Sequence, residues 1–254
     1  IADIDGDQMP DIVYFQENVR FVGETFVRPA NLTVLWGECN MNTHQWSRDI
    51  IEIASHPFSQ GMDVGDIDDD GDDDIILATM TPDGGQTYLE VFKGPDPGPQ
   101  ADQTIIVPAP TYGHYSYIEL GQWGEDLAED PFTGATLPGE CEDLDLWVLR
   151  TPRFNPGAGY SVGNYDNMTV IEFDCVTGLY ADPNVGGSAA AQIHDFTLDA
   201  EHGYELQIDV EDTDGDGVID MVAAVDGIEG RVSYATRSGV NSNWDTRNYI
   251  NLGN

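Results

Sequence analysis

The chain repeats one nine-residue pattern three times without a gap: DIDGDQMPD from Asp3, DIDDDGDDD from Asp66 and DTDGDGVID from Asp212. Aspartate stands at the first, third, fifth and ninth position of every copy. Carboxylates held this close repel, by roughly 4 kcal/mol for two unit charges about 4 Å apart at an effective dielectric of ~20. Glycine at the fourth or sixth position lets the backbone turn sharply enough for them to converge. Each copy therefore reads as an oxygen-lined turn that a cation would close, and the repetition implies a fold built from similar units.

Every copy leads into an apolar run suited to a buried strand: Ile12 to Phe15, Ile75 to Ala78 and Met221 to Val225. Alternating segments, Gly61 to Gly65 and Tyr204 to Val210, precede the second and third copies. The first copy opens almost at Ile1, so a strand ahead of it, in a longer natural chain, is expected. Further strands are expected at Leu32 to Trp36 and Trp46 to Ile53, at Tyr88 to Phe92 and Thr104 to Val107, and at Arg231 to Ala235 and Trp244 to Leu252.

A fourth unit lies between the second and third copies. Tyr115 to Leu120 leads into a swollen loop, Asp145 opens Leu146 to Leu149, and Thr169 to Phe173 and Ala189 to Leu198 follow. Placing Glu125 in register with Asp66 starts the units at 3, 66, 125 and 212. No amphipathic helix of useful length is evident, and Gly and Pro gather between the strands. Four strands per unit predict an all-β chain, a β-propeller of four-stranded antiparallel blades. The expected organisation is one propeller region over residues 1–254, with repeats at about 1–55, 56–110, 111–200 (insertion 126–144) and 201–254.

Hard, all-oxygen ligands on a flexible loop favour Ca2+, since Mg2+ prefers a tighter octahedron and Zn2+ prefers His or Cys. By analogy with known calcium loops, the seventh residue, Met9, Asp72 or Val218, adds its backbone carbonyl. An EF-hand shares the spacing but needs flanking helices and a Glu at position twelve, where this chain has Tyr14, Leu77 or Ala223. Tandem loops of the dockerin or thrombospondin kind lie much closer together. The plain alternative is a solvated, chain-reversing Asp turn.

The balance of 47 acidic against 9 basic residues, a formal charge of -38, excludes nucleic acid and anionic membrane surfaces as partners and attracts divalent cations. It also suits a secreted or salt-adapted protein. No apolar run approaches the ~20 residues of a membrane span. Cys39, Cys141 and Cys175 show no CxxC or Cys/His pairing, and the five histidines show no ligand spacing, so zinc is not expected. Asn31 and Asn167 begin sequons that chance also explains. Glu140, Glu142, Asp143 and Asp145 form an acidic cluster with the residue types of a general acid and base, though a solvated insertion accounts for it more simply. The five tryptophans fall mostly on strands and read as core.

Together, strand, DxDxDGxxD-type loop and strand resemble the FG-GAP and VCBS repeat families, whose units build propeller blades in integrin α-subunit heads and many secreted microbial proteins. The resemblance covers nearly the whole chain as four units and departs from the pattern near Glu125. It implies about three structural calcium ions: one held by Asp3, Asp5, Asp7 and Asp11 with Met9, one by Asp66, Asp68, Asp70 and Asp74 with Asp72, and one by Asp212, Asp214, Asp216 and Asp220 with Val218. Such propellers usually have about seven blades, so the chain is expected to be part of a larger one. On that frame Cys141 and Cys175 face the same rim, which suggests a disulfide, and Cys39 lacks an obvious partner.

The functional expectation is a non-enzymatic, secreted or cell-surface calcium-binding scaffold. Its partners would be a protein or glycan ligand, or copies of itself. The alternatives are the propeller part of a polysaccharide lyase or glycosidase, for which no Arg, Lys, His and Tyr constellation is visible, and a subunit of an extracellular filament or sheath.

Overall fold

In a computed structural model, the description covers residues 1–16, 21–22, 25–26, 30–37, 47–53, 58–80, 87–98, 100–107, 114–122, 144–152, 166–174, 177–182, 193–198, 205–215, 219–226, 231–238 and 244–251. Regular structure in these residues is all β: several small antiparallel sheets and no helix.

The elements follow the apolar runs of the sequence. In order they are β1 (Ile12–Gln16), β2 (Phe21–Val22), β3 (Thr25–Phe26), β4 (Ala30–Trp36), β5 (Ser47–Ile53), β6 (Phe58–Gly65), β7 (Asp74–Met80), β8 (Thr87–Phe92) and β9 (Gln103–Val107). They continue with β10 (His114–Leu120), β11 (Leu146–Pro152), β12 (Asp166–Ile171), β13 (Phe173–Asp174), β14 (Leu179–Tyr180), β15 (Ile193–Leu198), β16 (Glu205–Glu211), β17 (Met221–Asp226), β18 (Arg231–Thr236) and β19 (Asp245–Asn251).

Chain order is also spatial order in the larger sheets: β1-β4-β5, β6-β7-β8-β9, β10-β11-β12-β15 and β16-β17-β18-β19. Two small hairpins, β2-β3 and β13-β14, sit beside them in sequence. Antiparallel neighbours joined in sequence need only short connections, so each sheet can form from local chain.

The chain divides into two compact units, Ile1–Val107 and Pro108–Asn254. In the first unit, Ala2, Ile4, Val13, Leu32, Val34 and Ile51 share one core with Ile75, Leu77 and Phe92, so both its larger sheets contribute. In the second, Trp147, Met168 and Val170 pack with Ile208, Ile219, Val222 and Ala235. Trp147 is fully buried and meets Trp244 edge-on at 5.9 Å, as expected of core tryptophans, with its indole N–H donated to the Gly121 carbonyl at 2.7 Å.

Asn31 and Asn167 lie inside the paired strands β4 and β12, opposite Glu52 and Arg150 respectively, and the sequon residues Thr33 and Thr169 are buried. Cys39, Cys141 and Cys175 fall outside the described residues, and so does the suggested disulfide. No helix is long and apolar enough to cross a membrane among the described residues.

Candidate metal centre

Each acidic segment joins the first and second strands of its sheet or, for the first copy, runs directly into β1. The foot of the turn is a backbone pair. Ala2 and Asp11 exchange N–H to carbonyl bonds at 3.2 and 2.5 Å, Gly65 lies opposite Asp74, and Asp220 donates to the Glu211 carbonyl at 3.1 Å.

Within the turn the backbone is left-handed where the sequence demanded it. Gly6, Asp69 and Gly215 occupy the fourth position with φ of 66°, 54° and 81°, and Gln8 and Gly71 occupy the sixth with φ of 66° and 95°. Two of these five are not glycine, so the sharp turn is enforced even where it strains an L-residue.

That backbone aims N–H groups at the carboxylates. Asp3 accepts from Gln8 at 2.8 Å, Asp66 from Asp70 and Gly71 at 3.0 Å each, and Asp212 from Gly215 at 2.6 Å. Asx turns add Asp7 to Asp5 at 3.3 Å, Met9 to Asp7 at 2.8 Å and Asp72 to Asp70 at 3.0 Å.

Three groups of carboxylates result, each with oxygens within 4.8 Å of one another: Asp3, Asp5 and Asp11; Asp66, Asp68 and Asp70; Asp212, Asp214 and Asp220. The first and third positions enter every group, joined by the ninth in two and the fifth in one. Asp7 and Asp74 stand outside these groups. Asp216 and Val218 fall outside the described residues.

The ninth position has a second task. Asp11 is 1% exposed and accepts the Ile4 N–H on Oδ2 at 2.8 Å and the Gly37 N–H on Oδ1 at 2.7 Å. Asp74, also 1% exposed, repeats this with Ile67 at 3.3 Å and Gly94 at 2.8 Å. Asp220 accepts both the N–H and the hydroxyl of Thr213, at 3.1 and 2.6 Å. The ninth carboxylate thus ties the turn to the strand it enters and, in the first two loops, to the chain just past the neighbouring strand, at Gly37 after β4 and Gly94 after β8.

Asp145 does the same in the fourth unit, accepting the Phe173 N–H at 3.1 Å while its carbonyl takes the Gly121 N–H at 3.0 Å. This corrects the register. Ile219 donates to the Gln122 carbonyl at 2.9 Å as Asp73 donates to that of Asp3 at 2.9 Å, so Gln122, not Glu125, occupies the first position. A neutral amide stands there, and Asp145 is a buried fastening residue; Glu140, Glu142 and Asp143 of the acidic cluster fall outside the described residues. The signal was an Asp directly before an apolar run, as at Asp11, Asp74 and Asp220.

The electrostatics are those of crowded carboxylates. Burial raises Asp5, Asp66 and Asp72 above the ordinary 3.8, and neighbouring aspartates add to it: Asp7, Asp11 and Asp3 at Asp5; Asp70 and Asp69 at Asp66; Asp70, Asp3, Asp66 and Asp68 at Asp72. Asp74 is pushed up to about 7, first by burial and then by Asp68, against the N–H groups of Gly94 and Ile67 and the charge of Lys93. The two acidic loops of the first unit also touch. Asp3 donates its N–H to the Asp73 carboxylate at 2.7 Å, and the Asp72 carboxylate lies against Gly6.

Two carboxylate oxygens, Asp3 Oδ1 and Asp68 Oδ1, are buried without a hydrogen-bond partner. A buried acceptor left unpaired costs about 1–3 kcal/mol, more when charged, and both belong to the groups above. A donor set of three carboxylates with oxygens this close could hold a metal ion.

No family model matches the chain, and no curated protein matches it. Among solved structures, a protein from Lactobacillus plantarum determined by the Northeast Structural Genomics Consortium shares 8% identity over 96% of each chain, with a TM-score of 0.26. An overlap that low carries no argument about fold or function.

Proposed function

We propose that this chain is a run of calcium-binding propeller blades, part of a secreted or cell-surface scaffold whose bound ions are structural. The observation that carries the reading is the recurrence, in three acidic turns, of a three-carboxylate group built on the first and third positions, with buried, unpartnered oxygens at Asp3 and Asp68. The meander order of the four-stranded sheets is the order of a propeller blade and supports that part of the reading.

Calcium would be held by Asp3, Asp5 and Asp11, by Asp66, Asp68 and Asp70, and by Asp212, Asp214 and Asp220. The carbonyls of Met9 and Asp72 complete the donor set of the first two loops. A bound ion offsets the mutual repulsion of these side chains and fixes the turn between two strands. Since only the folded loop gathers the ligands, binding stabilises the fold by linkage, about 2.7 kcal/mol when free calcium exceeds Kd a hundredfold. Millimolar extracellular calcium meets that condition for a site of moderate affinity, and a calcium-poor cytosol does not. A rigid, strongly acidic surface of this kind suits adhesion, assembly or glycan contact without chemistry of its own.

The test is the number of calcium ions bound per chain, with thermal unfolding in calcium and in chelator. About three ions and a Tm that falls on chelation are expected. A chain that binds none, or unfolds identically in both, returns the loops to solvated turns.

A further inference from the structure

We propose that Lys93 is a built-in competitor for the cation of the second loop, making that loop the weak and adjustable site of the three; this rests on reading the loops as calcium sites. Lys93 follows β8, and the pairing of Ile75 with Phe92 brings it opposite Asp74. Its ammonium donates to Asp68 Oδ2 at 2.7 Å. Asp68 is a third-position carboxylate of the second group, and its other oxygen is the buried one without a hydrogen-bond partner.

The same register position is filled differently elsewhere. The pairing of Ile12 with Leu35 places Trp36 opposite Asp11, and that of Met221 with Thr236 places Arg237 opposite Asp220. Trp36 turns its indole N–H to Asp49 at 2.8 Å, and Arg237 donates from Nε to the Ile219 carbonyl at 2.8 Å while lying over Trp244. Among the described residues, the ammonium on a loop carboxylate belongs to the second loop alone.

A divalent cation on Asp68 Oδ1 and an ammonium on Oδ2 of the same carboxylate repel each other, so calcium ligation by Asp68 and the Lys93 contact weaken one another. The lysine can leave. Its side chain is 26% exposed on a flexible four-carbon stem, which gives the ammonium a way out to solvent. Filling the second loop therefore works against the Lys93 contact and loosens the ammonium, which weakens that site about fivefold against the same loop without the lysine, the upper end for a surface ion pair.

Lys93 is the only lysine in the chain, which gives a direct readout. Acylation of Lys93 by an amine-reactive ester, separated from the terminal amine by peptide mapping, should speed up on adding calcium chloride as the ammonium is released. In calcium titrations Lys93→Met should raise the affinity of the weakest class about fivefold. Arg231→Met, which removes one positive charge at the end of β17–β18 remote from the third loop, should leave it within about twofold. Calcium bound at three loops with Lys93 labelling unchanged, or a Lys93→Met titration identical to the parent, overturns the inference and leaves the calcium reading standing. A chain that binds no calcium overturns both.

Discussion

Phe173 donates its backbone N–H to the Asp145 carboxylate at 3.1 Å, in the sheet whose leading turn has lost the acidic series. Gly37 gives the same bond to Asp11, and Gly94 gives it to Asp74. The ninth aspartate survives where the others do not because a buried N–H at the end of the third strand still needs an acceptor. Asp145→Ala should therefore cost about 2–3 kcal/mol in urea unfolding and Asp145→Asn about 1, since the amide oxygen still accepts. Bound calcium per chain should be the same in both variants as in the parent; a lost ion would mean that Asp145 serves a metal.

The contact between the first two loops depends on Gly94. A Cβ there would stand 2.6 Å from the Ile4 carbonyl and 2.9 Å from the Asp72 Cβ, both fixed groups of the facing turns. Gly94→Ala is expected to lose about 2–4 kcal/mol, whereas Gly98→Ala, whose nearest neighbour would be 3.7 Å away, should stay within about 0.5. Equal Tm values for the two would show that the turns do not press on each other.

Gln8 holds φ of 66° at the sixth position, where the second loop has Gly71 at φ of 95°. Left-handed backbone strains a residue with a Cβ by about 1–2 kcal/mol, against a smaller entropic cost of glycine in the unfolded chain. Gln8→Gly should raise stability by about 0.5–1 kcal/mol. Differential scanning calorimetry in chelator, where no ion masks the change, is the check.

The pH dependence of the cation-free protein follows from Asp74. Burial lifts its carboxyl to about 7 from the ordinary 3.8, so between those values the folded state holds a proton that the unfolded chain releases. Stability then rises as pH falls through 7, by about 1.4 kcal/mol between pH 8 and pH 6. Asp74→Asn should flatten that slope in chelator while its amide oxygen keeps one of the two N–H bonds, from Gly94 or Ile67. Calcium should flatten it too, because a cation nearby favours the ionised carboxylate. A cation-free profile that falls steadily from pH 8 to pH 6 would contradict this account.

Much of the β structure could be read from residues alone. Val13, Ile75 to Ala78 and Val222 are buried where apolar runs announced strands, since a strand that covers a core must be apolar on at least one face. The left-handed turns at Gly6, Gly71 and Gly215 were equally readable, because glycine is the residue that adopts them at least cost. The register of the fourth unit was not. Its loop is long and keeps one aspartate of the series, so spacing pointed to Glu125 while hydrogen bonding selects Gln122.

What the sequence determined by itself is therefore local: which segments are strands, where the backbone turns, and which aspartates crowd into one turn. These follow from alternation, conformational preference and short-range charge, all set within a few residues. Only the tertiary structure decided the rest. It set the ninth aspartate on the N–H groups of Ile4 and Gly37 or of Ile67 and Gly94, joined Asp3 to Asp73 across 70 residues, and set Lys93 on Asp68 from 25 residues away. Those relations depend on which strand ends meet in space, and sheet pairing and packing settle that rather than any local preference.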